Sequence, residues 1–215
     1  MGKDIFIIGA SLYGEVIFEL AQHCGYNVKG FYDDDLEKSN KKIFDVPVLG
    51  TTKDLLNKNI NLDKVNFAVA IGANHVRRRI AEKIREKGGI APSLIHKTAE
   101  ISPSAIIGQG VFIHAKAIIW TQVIVENDCM VSPHVLISHH AMMKKGSFVA
   151  NMSVLGANVI LGKDTLVGMG STVLSGINSI GDNVIIGAGS VVIRDVAPDT
   201  TVAGVPAKVI KRKGV

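Results

Sequence analysis

Aromatic residues make up only 5% of this chain and cysteine occurs twice, and each scarcity removes a class of function. Proteins that bind single-stranded nucleic acid interleave basic residues with aromatic stacking platforms, so no nucleic-acid partner is expected. The modest net charge of +5 fits a small phosphorylated ligand better. Much of it comes from Arg77, Arg78 and Arg79 and from a basic tail of Lys208, Lys211, Arg212 and Lys213. Cys24 and Cys129 are too few and too far apart for a disulfide framework or a thiolate metal cluster, and both sit in apolar patterns unlike those of nucleophiles. No apolar run reaches the roughly 18 residues needed to cross a bilayer, and MGKDIFIIGAS lacks the serial features of a secretory leader. We therefore expect no membrane insertion and a cytoplasmic location. Apolar residues are plentiful at 47% of 215 residues, enough to build the core of one large or two small domains.

Residues 1–92 alternate short apolar runs with helical patterns. Ile5-Phe6-Ile7-Ile8 reads as a buried strand ending at Gly9. Tyr13 to Cys24 has helical spacing, with Val16, Ile17, Leu20 and Ala21 on one side. A second strand, Val28 to Tyr32, runs straight into Asp33-Asp34-Asp35. A helix near Thr52 to Asn57, a strand from Val65 to Ile71 and a helix from Asn74 to Lys87 follow, the last ending at Gly88-Gly89. This order predicts a small α/β, Rossmann-like parallel sheet that takes its ligand at the carboxyl ends of the strands. The turn from Gly9 to Gly14 opens a helix and can present N–H groups to a phosphate, but it is not the GxGxxG of a dinucleotide site.

From Ile101 the period becomes six. Aliphatic residues stand at Ile101, Ile107, Ile113, Ile119, Val125, Val131 and Ile137, then at Met143, Val149, Leu155, Leu161, Val167 and Val173, thirteen in unbroken register. Four residues after each stands a small or β-branched residue, from Ala105 to Ile177, with Cys129 among them. One residue is then inserted and the ladder resumes at Ile180, Ile186 and Val192. One aliphatic and one small inward position per six residues describes short strands turned by tight corners, three to a coil, stacked as a parallel β-helix over residues 93–215. The spacing does not give the hand of the coil.

This repeat, followed by Val202-Ala203-Gly204-Val205-Pro206-Ala207-Lys208, resembles the left-handed β-helix hexapeptide acyltransferases. With the preceding segment Gly9-Ala10-Ser11-Leu12-Tyr13-Gly14, the acidic pair Asp33-Asp34 and Ala70-Ile71-Gly72, the whole chain is similar to the sugar acetyltransferases of the bacillosamine pathway, with the sialic acid O-acetyltransferases as cousins. The resemblance implies a left-handed β-helix and a homotrimer. It also implies acetyl-CoA as cosubstrate with no metal, and a nucleotide-linked amino sugar as acceptor, used in surface glycan synthesis.

The pair in Ile137-Ser138-His139-His140 carries the chemistry. Both histidines fall at a corner facing away from the core. Transfer of an acetyl group to an amine requires a base that takes a proton from the attacking nitrogen, and imidazole suits that task. The resemblance puts the general base on His139 and, on His140, a position usually held by a carboxylate that raises the basicity of the base; histidine there is a departure. It also implies acetyl-CoA contacts at Phe148, Met169 and Gly187, and substrate contacts at Ser11, Leu12, Tyr13, Asp33, Asp34 and Gly72, where relatives tend to carry Gly-His in place of Leu12-Tyr13. Small residues at Gly156 and Ala157 are expected to let the thioester approach main-chain N–H donors. Lys208, Lys211 and Arg212 are candidates for the coenzyme phosphates.

Three other readings remain open at this point. Transfer to a hydroxyl would use the same base. A zinc site of the carbonic-anhydrase type would draw on His134 and His139, but Thr98 stands where the third ligand belongs, leaving two nitrogens unless His114 substitutes. A non-enzymatic dinucleotide sensor lacks its glycine fingerprint.

Overall fold

The computed structural model describes residues 2–39, 41–57 and 61–212; Lys213 lies outside them. The chain divides into two compact units, Met1–Leu94 and Ile95–Val215.

In the first unit the elements are β1 (Lys3–Ile8), α1 (Leu12–His23), β2 (Tyr26–Tyr32), β3 (Lys42–Ile43), β4 (Val46–Gly50), α2 (Thr52–Leu55), β5 (Asn66–Val69) and α3 (Asn74–Glu86). The sheet order is β3-β4-β2-β1-β5. Strand β1 pairs in parallel with both β2 and β5, so the chain leaves β1 toward β2 and returns to its other side. That reversal opens a crevice at the carboxyl ends of β1 and β5. Ile5, Ile7, Ile8, Ile17, Phe31 and Phe67 fill the core.

Two details differ from the sequence reading. The buried stripe of α1 is Gly14, Ile17, Phe18, Leu20 and Ala21, while Val16 is exposed; Phe18 takes the core place expected for Val16 because the stripe runs from Gly14 at steps of three and four. The hairpin β3–β4 was not foreseen. Its two turn residues, Phe44 and Asp45, both have positive φ, as a two-residue hairpin turn demands, yet they lack the Asn-Gly or Asp-Gly signature that normally announces one.

The second unit is the left-handed parallel β-helix. Up to Val191–Val192 its strands are two residues long, and they stack into three sheets. Ile119 pairs with Ile137 and Ile137 with Leu155, 18 residues per coil. After the inserted residue the step becomes 19, as in Leu161 with Ile180. The ladder is buried from Ile113 to Val192, and Ile101 and Ile107 pack partly buried against its open end. Cys129 is fully buried in the same core. Inward hydroxyls are satisfied by the next coil, as in Ser153 donating to the Gly168 carbonyl at 2.8 Å and Thr165 to that of Gly181 at 2.7 Å. Most tight corners place one residue near φ +60°, including Gln122, Asp128, His134, His140 and Asp164. Ala207–Arg212 pairs antiparallel with Thr200–Gly204, leaving Lys208, Lys211 and Arg212 of the basic tail exposed.

Candidate functional site

The two units each carry a candidate site. In the first, a cleft of about 270 Å³ lies at the carboxyl ends of β1, β2 and β5, lined by Gly9, Ser11, Tyr13, Asp33, Asp34 and Gly72 among others. Its floor depends on glycine. Gly9 has φ +104°, and a Cβ there would strike the Ala70 carbonyl oxygen; a Cβ on Gly14 would strike the Gly9 carbonyl. The first turn of α1 therefore presses directly on the end of β1. Leu12, also expected at the ligand, is instead 80% exposed and does not line the cleft, because the first turn of α1 turns it toward solvent.

The aspartates are more occupied than expected. One Asp33 carboxylate oxygen accepts from the Ala10 N–H at 2.7 Å and from Lys38 Nζ at 3.0 Å, and the other accepts from the Asp35 N–H at 2.9 Å. Burial pushes the Asp33 carboxyl up, but the Asp35 and Ala10 N–H groups together with Lys38 outweigh it and hold it below the usual carboxylate range. Asp34 accepts from the Thr52 N–H at 2.7 Å. Both side chains thus organise the rim of the cleft. Lys38, which sequence reasoning overlooked, also donates to Ser11 Oγ at 2.7 Å, bringing a cation beside the first turn of α1. Beneath the rim, buried Arg77 donates to the Ile71 carbonyl at 3.0 Å. Burial pushes the Tyr13 phenol up, and the nearby Arg77 charge partly offsets it, so Tyr13 is a neutral hydrogen-bonding wall.

In the second unit, His139 and His140 are exposed at the corner that leaves the strand Leu136–Ile137. The left-handed φ of +59° at His140 turns the chain sharply and brings the two rings together, edge to face at 86°, with their Nδ1 atoms 3.1 Å apart. One Nδ1 must donate and the other accept. If His139 is the donor, its Nε2 is left as the basic atom, the tautomer a general base requires. Trp120 lies on the same edge one coil below, its ring parallel to His139 within 13° at a centroid distance of 6.3 Å. Sequence reasoning missed Trp120, although its place 18 residues before Ser138 was a signal.

The expected acetyl-CoA residues divide between two edges of the prism. Gly156 and Ala157 sit one coil above the histidines, where the Asn158 N–H donates to the His139 carbonyl at 3.1 Å. Their own N–H groups are engaged by the coil above, Gly156 with the Val173 carbonyl at 2.8 Å and Ala157 with Ser175 Oγ at 2.8 Å. A Cβ on Gly156 would meet main-chain atoms of Leu174 and Ser175. These two N–H groups thus serve the stacking of the coils, and glycine at 156 lets the coils approach. Phe148 and the corner residues Met169 and Gly187 belong to the eight-stranded sheet and the edge that follows it. Met169 is exposed and Phe148 half-buried. Among the described residues, no three His, Cys, Asp or Glu side chains group to hold a metal ion. His114 is buried, and desolvation with the nearby His96 pushes it down to about 4.

A left-handed β-helix with a histidine corner, joined in one chain to a Rossmann-like unit whose cleft lies at a strand switch point, defines a class of acyltransferase. Residues 4–84 match the family model for the PglD N-terminal domain. The chain aligns over 97% of its length with all of the acetyltransferase domain of PglB from Neisseria gonorrhoeae, at 31% identity and TM-score 0.90. PerB from Caulobacter crescentus, solved in complex with CoA and GDP-perosamine, matches over 98% of both chains at 28% identity and TM-score 0.86. The UDP-N-acetylbacillosamine N-acetyltransferase of Bacillus subtilis is 31% identical over 116 residues, 53% of this chain and 52% of that one. The curated relatives, serine acetyltransferases among them, are matched over only 17 to 52% of their own length. The chain belongs to the family of hexapeptide-repeat nucleotide-sugar acetyltransferases.

Proposed function

We propose that the protein transfers an acetyl group from acetyl-CoA to the amine of a nucleotide-linked amino-deoxy sugar, a 4-amino-4,6-dideoxy sugar, in the cytoplasm and for surface glycan synthesis. The observation that carries the reading is the exposed His139–His140 contact of 3.1 Å in a chain of this family. In the reaction, the sugar nitrogen forms a bond to the thioester carbonyl carbon while His139 Nε2 takes its proton. Collapse of the tetrahedral intermediate breaks the C–S bond, and the imidazolium returns the proton to the departing thiolate. The cleft at Ser11, Tyr13, Asp33, Asp34 and Gly72 holds the nucleotide, with the Asp33–Lys38 pair ordering its rim.

A homotrimer is part of the proposal. Phe148, Met169 and Gly187 lie on a different edge of the prism from His139, so a site that uses both sets needs two subunits. The flat face bearing Ile106, Ile124, Met142 and Ile160, one apolar residue per coil, with Ile106 and Ile160 exposed, suits such association.

The test is release of coenzyme A thiol from acetyl-CoA with UDP-, GDP- and dTDP-linked 4-amino-6-deoxy sugars, using sialic acid and serine as hydroxyl controls. Turnover with an amino sugar is expected, and His139→Ala should lower it by about 100-fold or more at unchanged oligomeric mass. Activity confined to a hydroxyl acceptor would overturn the amine assignment, and undiminished turnover in the variant would remove His139 from the chemistry.

A further inference from the structure

A base that accepts a proton becomes a cation, and here its sequence neighbour is a second imidazole. His140 can accept a hydrogen bond from His139 Nδ1, which sets the tautomer, but as a neutral ring it offers no countercharge to an imidazolium. The group that does face the His139 ring is Trp120, the only tryptophan in the chain. Its indole plane lies 13° from the imidazole plane at 6.3 Å between centroids, and its side chain is half exposed. The backbone fixes this arrangement: the Trp120 N–H donates to the Ile137 carbonyl at 3.1 Å, and the His140 N–H donates to the Thr121 carbonyl at 2.9 Å. Consecutive coils are thereby clamped on both sides of the ring pair.

We infer that Trp120 is a positioning residue for the base, holding the His139 ring in plane and stabilising, through its π-face, the positive charge that forms there during acetyl transfer. The electron-rich face of an indole attracts a nearby cation, an effect worth roughly 0.5–1 kcal/mol at an exposed site such as this one. His140 and Trp120 thus divide two tasks: the imidazole edge orients the base, and the indole face supports its charge. This rests on His139 being the base.

The test is a double-mutant cycle on the full-length protein, with circular dichroism and oligomeric mass as controls for folding. Trp120→Leu keeps apolar bulk and removes the π-face; it should lower kcat by about 3- to 5-fold, with KM for acetyl-CoA and for the nucleotide sugar unchanged within about twofold. Trp120→Phe, which keeps an aromatic face, should recover part of the loss. In a His140→Asp background a carboxylate supplies the charge, and Trp120→Leu should then lower kcat by less than about twofold. Aspartate is suited to that corner, since Asp128 and Asp164 hold the equivalent turn with φ of 62° and 56°. An equal loss in both backgrounds would reduce Trp120 to packing and overturn the inference. A rise in sugar KM at constant kcat would make it a substrate contact, with the same consequence. Activity surviving in His139→Ala is a different failure, that of the base assignment itself.

Discussion

Replacing Asp33 by asparagine tests whether the cleft is organised from its acidic rim. The carboxylate accepts from the Ala10 and Asp35 N–H groups and from the Lys38 ammonium, at 2.7, 2.9 and 3.0 Å, with only 13% of the side chain exposed. Asparagine preserves the shape but turns an NH₂ group toward donors on one side, leaving at least one of them without an acceptor. Hydrogen bonds to a charged group contribute about 1.5–3 kcal/mol each and are not additive, so the expected loss is about 2 kcal/mol. In a unit of this size that lowers the thermal midpoint by roughly 8–16 °C. Because the Asp33 carboxyl is held below its ordinary range, its stabilisation is fully present above the unfolded-state value, about pH 4. It is lost only as pH falls further, through the folded-state value. The gap in Tm between wild type and Asp33→Asn, read by differential scanning calorimetry, should therefore be constant near neutrality and close only below about pH 4. In the acetyl-transfer assay the KM for the nucleotide sugar should rise while that for acetyl-CoA stays put. A Tm within about 2 °C of wild type, or a gap that narrows between pH 8 and 6, would refute the reasoning.

Two further outcomes follow from the packing. His114 is held neutral by burial, with its value down at about 4, so the unfolded chain takes up that proton first as pH falls. Stability should decline from about pH 6.5 toward 4, and His114→Gln should flatten that stretch of the pH–Tm curve; an unchanged slope would remove His114 as its source. Gly156→Ala drives a methyl into the main chain of Leu174 and Ser175 and should destabilise by about 1–3 kcal/mol in urea unfolding, whereas Gly72→Ala, with open space around its Cβ position, should leave stability unchanged; equal effects would contradict the stacking argument.

Much of the architecture was legible because it is periodic. The run from Ile101 to Val173 fixes both the coil length and the inward positions, and the insertion before Ile180 reappears as the step from 18 to 19 residues between paired strands. The strand ending at Gly9 and the helix after it were equally plain. Less regular signals failed. Val16 and Phe18 are both apolar, and only packing against the sheet decided which was buried. The β3–β4 turn used Phe44 and Asp45, residues that do not advertise positive φ.

For the sites, the sequence by itself singled out the candidate residues: two histidines at an outward corner, two aspartates after β2, glycines where backbones meet. What those residues touch was decided by tertiary structure alone. Lys38 reaches Ser11, 27 positions away, and Trp120 reaches His139 across a coil. The Gly156 and Ala157 N–H groups are consumed by the coil above. A one-dimensional pattern fixes the period and the face of each residue, but contacts between elements depend on how the crossovers and coils stack, and that is settled by the energy of packing the whole unit.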